Sequence, residues 1–147
     1  MRWDAADLSG LATLPYRSDH ACLIVHRGHA LAARKRVRFE ETLDCEYVSA
    51  MPDSMMETML RRHAAVAGKT MSPRLQVQSF DGVSRIVAAG LGVSVLPREV
   101  VSPMAQALGL RMIPLSNSWA RRQFVICSRA APYLSASVRL LAEGLKP

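Results

Sequence analysis

The stretch RLQVQSFDGVSRIVAAGLGVSVLPRE, residues 74–99, leaves the chain few folds to choose from. Leu75 and Val77 alternate with Arg74, Gln76 and Gln78, the pattern of a strand with one buried face. Ser79 or Asp81 then caps a helix whose Val83, Ile86 and Val87 share a face. Gly90 fits the left-handed position after the last turn, with Leu91 placed as the apolar partner of a Schellman motif. Val93 to Pro97 reads as the next strand. A strand, a helix and a strand in this order are one step of an α/β alternation, with the helix on a sheet face.

The two glycines raise the question of a nucleotide cradle. That cradle needs G-x-G-x-x-G after a strand and opening a helix, so that free helix N–H groups meet the pyrophosphate. Gly90-Leu91-Gly92 follows a helix and opens a strand, and position 95 is Val95. The order is reversed, so the pair reads as a corner between elements.

The rest of the chain repeats the alternation. Residues 11–26 read as two short extended pieces, LATLPYR and ACLIVH, joined by a turn at Ser18-Asp19. A basic loop, about one helical turn at FEETL and a strand at Glu46–Ala50 follow. Residues 52–68 carry a helix signature, with Ser54 and Glu57 as an S-x-x-E capping box and Gly68 at the end. Met56, Met59, Leu60, His63 and Ala67 fall on one stripe, read as core. Ser102-Pro103 predicts an N-cap with proline at the first helical position, ending at Gly109. LRMIPL and RRQFVICSR read as strands, and a last helix spans Pro132 to Leu145, with Leu134, Val138, Leu141 and Leu145 on one face. The expected class is α/β with mainly parallel sheet.

Composition narrows function. The chain has 147 residues, 50% of them hydrophobic, enough for a real core. The longest uncharged apolar run, Ile86 to Pro97, is far short of a membrane span. The start MRWDAADLSG lacks the apolar stretch of a secretory signal, so a cytoplasmic location is expected. Cys22, Cys45 and Cys127 read as reduced thiols, mostly buried. The net charge of +7 favours polyanions, yet aromatics are only 5%, and the densest basic run, HRGHALAARKRVR, reads as a solvated loop rather than a nucleic-acid patch.

No catalytic constellation emerges, so no enzyme is expected. Gly82-Val83-Ser84-Arg85-Ile86 and Gly92-Val93-Ser94-Val95-Leu96 both lack the last glycine of a nucleophile elbow. His20, His26 and His29 with Asp19 lack a second carboxylate for a metal, and no cofactor is called for. His63 reads as a semi-buried histidine. What remains are two helix starts that follow strands, Pro52-Asp53-Ser54 and Ser79-Phe80-Asp81, where free N–H groups and hydroxyls can hold an anion. Local capping explains the same serines, and either aspartate could itself be the cap.

The run SFDGVSRIVAAGLGVSVLPREVV resembles the signature of the effector-binding domain of LysR-type transcriptional regulators. LPYRSDHACLIVHRGHALA is similar to the family's crossing segment, with Ala30 where its H-P-L-A motif has proline. ALGLRMIPL and RRQFVICSRAAPYLSASVRLLAEGL resemble its return strand and closing helix. The resemblance implies a periplasmic-binding-protein-like (type 2) α/β fold: residues 28–118 as a complete second lobe, with 8–27 and 119–147 as a remnant of lobe one. The family's winged helix-turn-helix has no counterpart here, so any contact with DNA would come through a segment outside this chain. The resemblance further implies a small effector, a carboxylate or other anion, contacted by Pro52, Asp53, Ser54, Ser79 and Phe80, and a homo-oligomer. The alternative is a stand-alone small-molecule-binding or dimerisation module of the same fold without regulatory output.

Overall fold

The computed structural model describes residues 7–129 and 135–146. Its elements run β1 (Ala12–His26), α1 (Phe39–Thr42), β2 (Tyr47–Ala50), α2 (Met55–Val66), β3 (Pro73–Val77), α3 (Phe80–Ala88), β4 (Ser94–Pro97), α4 (Arg98–Ala105), β5 (Leu110–Pro114), β6 (Arg121–Ser128) and α5 (Ala136–Gly144). They form two compact units: His20–Ala120, and the described parts of Met1–Asp19 with Arg121–Pro147.

In the larger unit the second half of β1 is central. It pairs antiparallel with β4 on one side and β5 on the other, in register Leu23↔Val95 and Leu23↔Ile113. Ala21 to Val25 are all buried. Because successive side chains of a strand point to opposite faces, Ala21, Leu23 and Val25 enter one apolar cluster with Phe39, Tyr47, Leu60 and Ile113. Cys22 and Ile24 enter the other, with Val48, Val83, Val87 and Leu96. β2 and β3 pair in parallel, with Ala50 opposite Val77. The Val48 N–H donates to the Val93 carbonyl and the Val93 N–H to that of Glu46, both at 2.8 Å, which joins β2 to the entry of β4.

The predicted corner forms as a Schellman motif. Gly90 has φ 78°, its N–H reaches the Val87 carbonyl at 2.9 Å, and the Leu91 N–H reaches that of Ile86 at 3.3 Å. Leu91 itself stays exposed, so the hydrogen bonds hold the motif rather than an apolar contact. Gly92 serves a different need: a Cβ there would lie 2.7 Å from the Glu46 carbonyl oxygen, the acceptor that ties β2 to β4.

The expectation of mainly parallel sheet is corrected, because the central strand β1 pairs antiparallel with both β4 and β5 and the parallel ladder is β2–β3. Four local expectations are corrected as well. Residues 12–26 form one continuous strand, with no turn at Ser18-Asp19; Asp19 instead turns inward to pair with Arg122, both buried. α4 begins at Arg98 rather than after Ser102, so Pro103 sits inside the helix. Its missing N–H and ring cost one bond near the end of a short helix, and Val101 and Ala105 are buried all the same. Leu75 is exposed because β3 pairs with β2 alone among the described strands, and its outer face has no covering element there. Cys127 is exposed, unlike the fully buried Cys22 and partly buried Cys45.

In the smaller unit β6 pairs with β1, and the Gln123 side-chain amide donates to the Arg17 carbonyl at 3.1 Å. The Arg122 guanidinium lies 5.3 Å from the centre of the Phe124 ring. α5 opens with Ser135 as N-cap. Pro132 and Leu134, predicted for its first turn, lie outside the described residues.

The two glycines separate cleanly by substitution. Gly90→Ala is expected to cost about 1 kcal/mol through its backbone angle alone, since nothing crowds the added carbon. Gly92→Ala is expected to cost at least about 2 kcal/mol, because it must displace a backbone carbonyl. Urea unfolding of both variants measures the ranking; equal losses would contradict it.

Candidate functional site

Parallel neighbours end at the same edge of a sheet, about 4.8 Å apart. β2 and β3 are such neighbours, and each runs into a helix: α2 after Ala50-Met51-Pro52-Asp53, α3 after Gln78. The two helix starts are therefore set side by side. A direct bond fixes the corner, from the Met51 N–H to the Val77 carbonyl at 2.7 Å. Met51 adopts φ 51°, a left-handed angle that a side chain resists. The Ser54 N–H then returns to the Met51 carbonyl at 2.8 Å, which closes the turn into α2.

Both serines act as N-caps. Ser54 accepts from the Glu57 N–H at 3.2 Å and Ser79 from the Gly82 N–H at 3.0 Å. Neither aspartate takes that role. Asp53 is exposed ahead of the cap, and Asp81 pairs along the helix with Arg85 at 2.9 Å. Of the sequence-derived candidates, Pro52, Asp53 and Ser54 sit at the α2 start, and Ser79 and Phe80 at the α3 start. Ser79 is exposed, while Ser54 and Phe80 are partly buried. The first amides of each helix have no carbonyl of their own helix to bond and point toward this edge.

The capping box at α2 forms only by half. Glu57 does not reach back to Ser54; its side chain turns inward, 2% exposed, with Oε1 3.0 Å from Nη2 of Arg61. Ser49 of β2 lies beside the carboxyl. Tyr47, also buried, takes the Val95 N–H on its hydroxyl at 3.2 Å, with Ser94 beside it. Burial pushes the Glu57 carboxyl above its ordinary value of 4.5, against the opposing effects of Ser49 and Arg61. Burial also pushes the Tyr47 hydroxyl up. The S-x-x-E pattern could not announce the inward turn, because Glu at this helix position serves a box equally well.

The histidines serve local structure. His63 stacks on Trp119, ring centres 4.2 Å apart, and burial lowers its pKa, helped by Arg62. His20 Nε2 meets the Leu115 carbonyl at 2.9 Å. His26 and His29 accept from the Gly28 and Leu31 N–H groups, both at 3.1 Å. Among the described residues no group of histidine, cysteine and carboxylate side chains could hold a metal ion.

Two serine-capped helices thus start together at one sheet edge. The sequence model of the LysR substrate-binding domain matches residues 1–147. The chain belongs to that family. A relative, an uncharacterized HTH-type transcriptional regulator YwbI from Bacillus subtilis, is 25% identical over 124 residues, 84% of this chain and 41% of that protein. The chain thus spans about two fifths of that regulator's length.

Solved structures share the fold at low identity. The regulatory domain of CcmR from Synechocystis, in complex with 2-PG, superposes with a TM-score of 0.81 at 17% identity, covering 99% of this chain and 68% of that one. The effector-binding domain of QuiR in complex with shikimate gives 0.75 at 16% identity, covering 91% and 63%. The architecture is the periplasmic-binding-protein-like type 2 fold of LysR effector domains, a family of transcriptional regulators. No described helix is long and apolar enough to cross a membrane.

The buried carboxyl gives a pH signature. The folded state holds the Glu57 proton more tightly than the unfolded chain does. Its contribution is therefore fully present below the ordinary carboxyl value and is lost as pH rises through the raised folded-state value. Stability is expected to decline from about pH 4.5 upward across that window, and Glu57→Gln to remove this component. Denaturation midpoints of the two proteins across the range check it.

Proposed function

We propose that this chain is the effector-sensing part of a LysR-type transcriptional regulator, acting in the cytoplasm and without catalysis. On this reading residues 28–118 form lobe two, and 8–27 with 119–147 contribute to lobe one. A small metabolite, a carboxylate or other anion, is held at Pro52, Asp53, Ser54, Ser79 and Phe80. Its binding alters the arrangement of the domain, and the change reaches a DNA-binding module carried by another segment of the regulator. The observation that carries the reading is the side-by-side start of α2 and α3, each capped by a serine, at the edge where parallel β2 and β3 end. The family membership supports the regulatory role, and the complexes of CcmR with 2-PG and of QuiR with shikimate support a small-molecule effector.

Ser54→Ala is expected to lower stability by ~1 kcal/mol through loss of the cap. It is also expected to weaken binding of a small carboxylate, with shikimate as the first probe, by roughly tenfold, the cost of a hydrogen bond to a charged group. Calorimetry and thermal melts of the same variant separate the two effects. Lost stability with unchanged affinity would leave the serine as a cap alone.

A homo-oligomer is part of the proposal, and a specific feature favours it. In the smaller unit Leu11, Leu14, Phe124, Val125, Val138, Leu140 and Leu141 are exposed. Apolar surface of this density on a short strand pair and one helix recruits a partner. The isolated chain is expected to run as a dimer or larger species in light scattering, and Phe124→Ser with Leu141→Ser to shift it toward monomer. A wild-type monomer at micromolar concentration would overturn this.

A further inference from the structure

We infer that the proposed effector site admits one negative charge and rejects two, and that Glu57 is the residue that sets this limit. The inference rests on the reading that the α2 and α3 starts hold the effector.

Within the two segments that form the helix starts, positive character comes from the backbone. Residues 50–60 and 75–84 contain no lysine or arginine. Two helix N-termini supply about half a positive charge each, so together they match about one negative charge. Three acids lie in the same segments: Asp53, Glu57 and Asp81. Asp53 and Asp81 are exposed, so water screens them, and Asp81 is further balanced by Arg85. Glu57 differs because its carboxyl is buried in the first turn of α2.

The groups beside it come from two elements. From β2 come Ser49 and Tyr47, the latter with Ser94 of β4 beside its hydroxyl, all uncharged while the tyrosine keeps its proton. From α2 itself comes Arg61, one turn further from the helix start. The Arg61 side chain is 41% exposed, and its Nη1 also donates to the Met71 carbonyl at 3.2 Å. Its charge is screened by water and displaced from the site, whereas the field of Glu57 reaches the first amides of α2 through protein. A singly charged effector is matched by the helix ends. A second charge meets the buried carboxylate, whose pairing with Arg61 at 3.0 Å does not outweigh its burial.

Sulfate and methanesulfonate test this directly, since they share an oxyanion shape and keep charges of two and one throughout the working pH range. The 147-residue chain is titrated with each at constant ionic strength, near pH 8, following the amide resonances of residues 54–57 and 79–82. Methanesulfonate is expected to bind more tightly than sulfate, the reverse of simple charge attraction. Glu57→Gln is expected to strengthen sulfate binding roughly tenfold and methanesulfonate binding less. Lowering the wild-type pH to about 5, toward the raised range of the Glu57 carboxyl, is expected to favour sulfate in the same direction without any substitution. This second route holds if the variant folds poorly. Sulfate binding as tightly as methanesulfonate in the wild type overturns the charge limit and leaves the effector reading standing. Selectivity that persists unchanged in Glu57→Gln and at low pH overturns the role of Glu57. Resonances that respond to neither anion overturn the effector reading itself.

Discussion

Five consecutive residues, Ala21 to Val25, are removed from water on both faces of one strand, and the larger unit is organised around that burial. Each large aliphatic side chain withdrawn this completely contributes roughly 1.5–3 kcal/mol before the cost of ordering it. Alternation divides the run between two apolar clusters, so helices are required on both faces. The antiparallel partners β4 and β5 satisfy its backbone. With β4 fixed beside β1, the bonds between Val93 and β2 place β2 next, and β3 pairs beyond it. The two helix starts of the candidate site are thus fixed through a strand two neighbours away in the sheet.

Much of this was legible in the sequence, for physical reasons that differ by element. The helix ending at Gly90 and the strand after it were readable because apolar periodicity and a left-handed glycine point to the same boundary. Ser54 and Ser79 were readable as caps because a short hydroxyl side chain ahead of an apolar period has little else to do. The continuous β1 was not, since Ser18-Asp19 has turn chemistry and only a residue about a hundred positions away, Arg122, draws the aspartate into an ion pair. Nor was the start of α4, because Pro103 is as compatible with a first turn as with a late one when the helix is short.

The candidate site divides the same way. Its placement on two helix starts follows from local pattern plus parallel pairing. Its electrostatics do not, because Glu57 could have bonded outward to its own cap and instead lies under the helix beside Ser49 and Arg61. Met51 likewise carries no signal of its left-handed angle, a conformation usually given to glycine or asparagine; the bond to Val77 on the next strand holds it there.

The three thiols differ in a way that gives the molecule an address for chemistry. Cys22 is sealed in the centre of the larger unit, with its sulfur 3.5 Å from the Leu96 carbonyl. Burial, with Asp44 nearby, pushes the Cys45 thiol up, so less of it is present as the reactive thiolate. Cys127 is exposed on β6. A maleimide probe therefore distinguishes the strands of the smaller unit from everything else in the chain. A single fluorophore or spin label can be seated there in the unmodified sequence to report on what that unit meets.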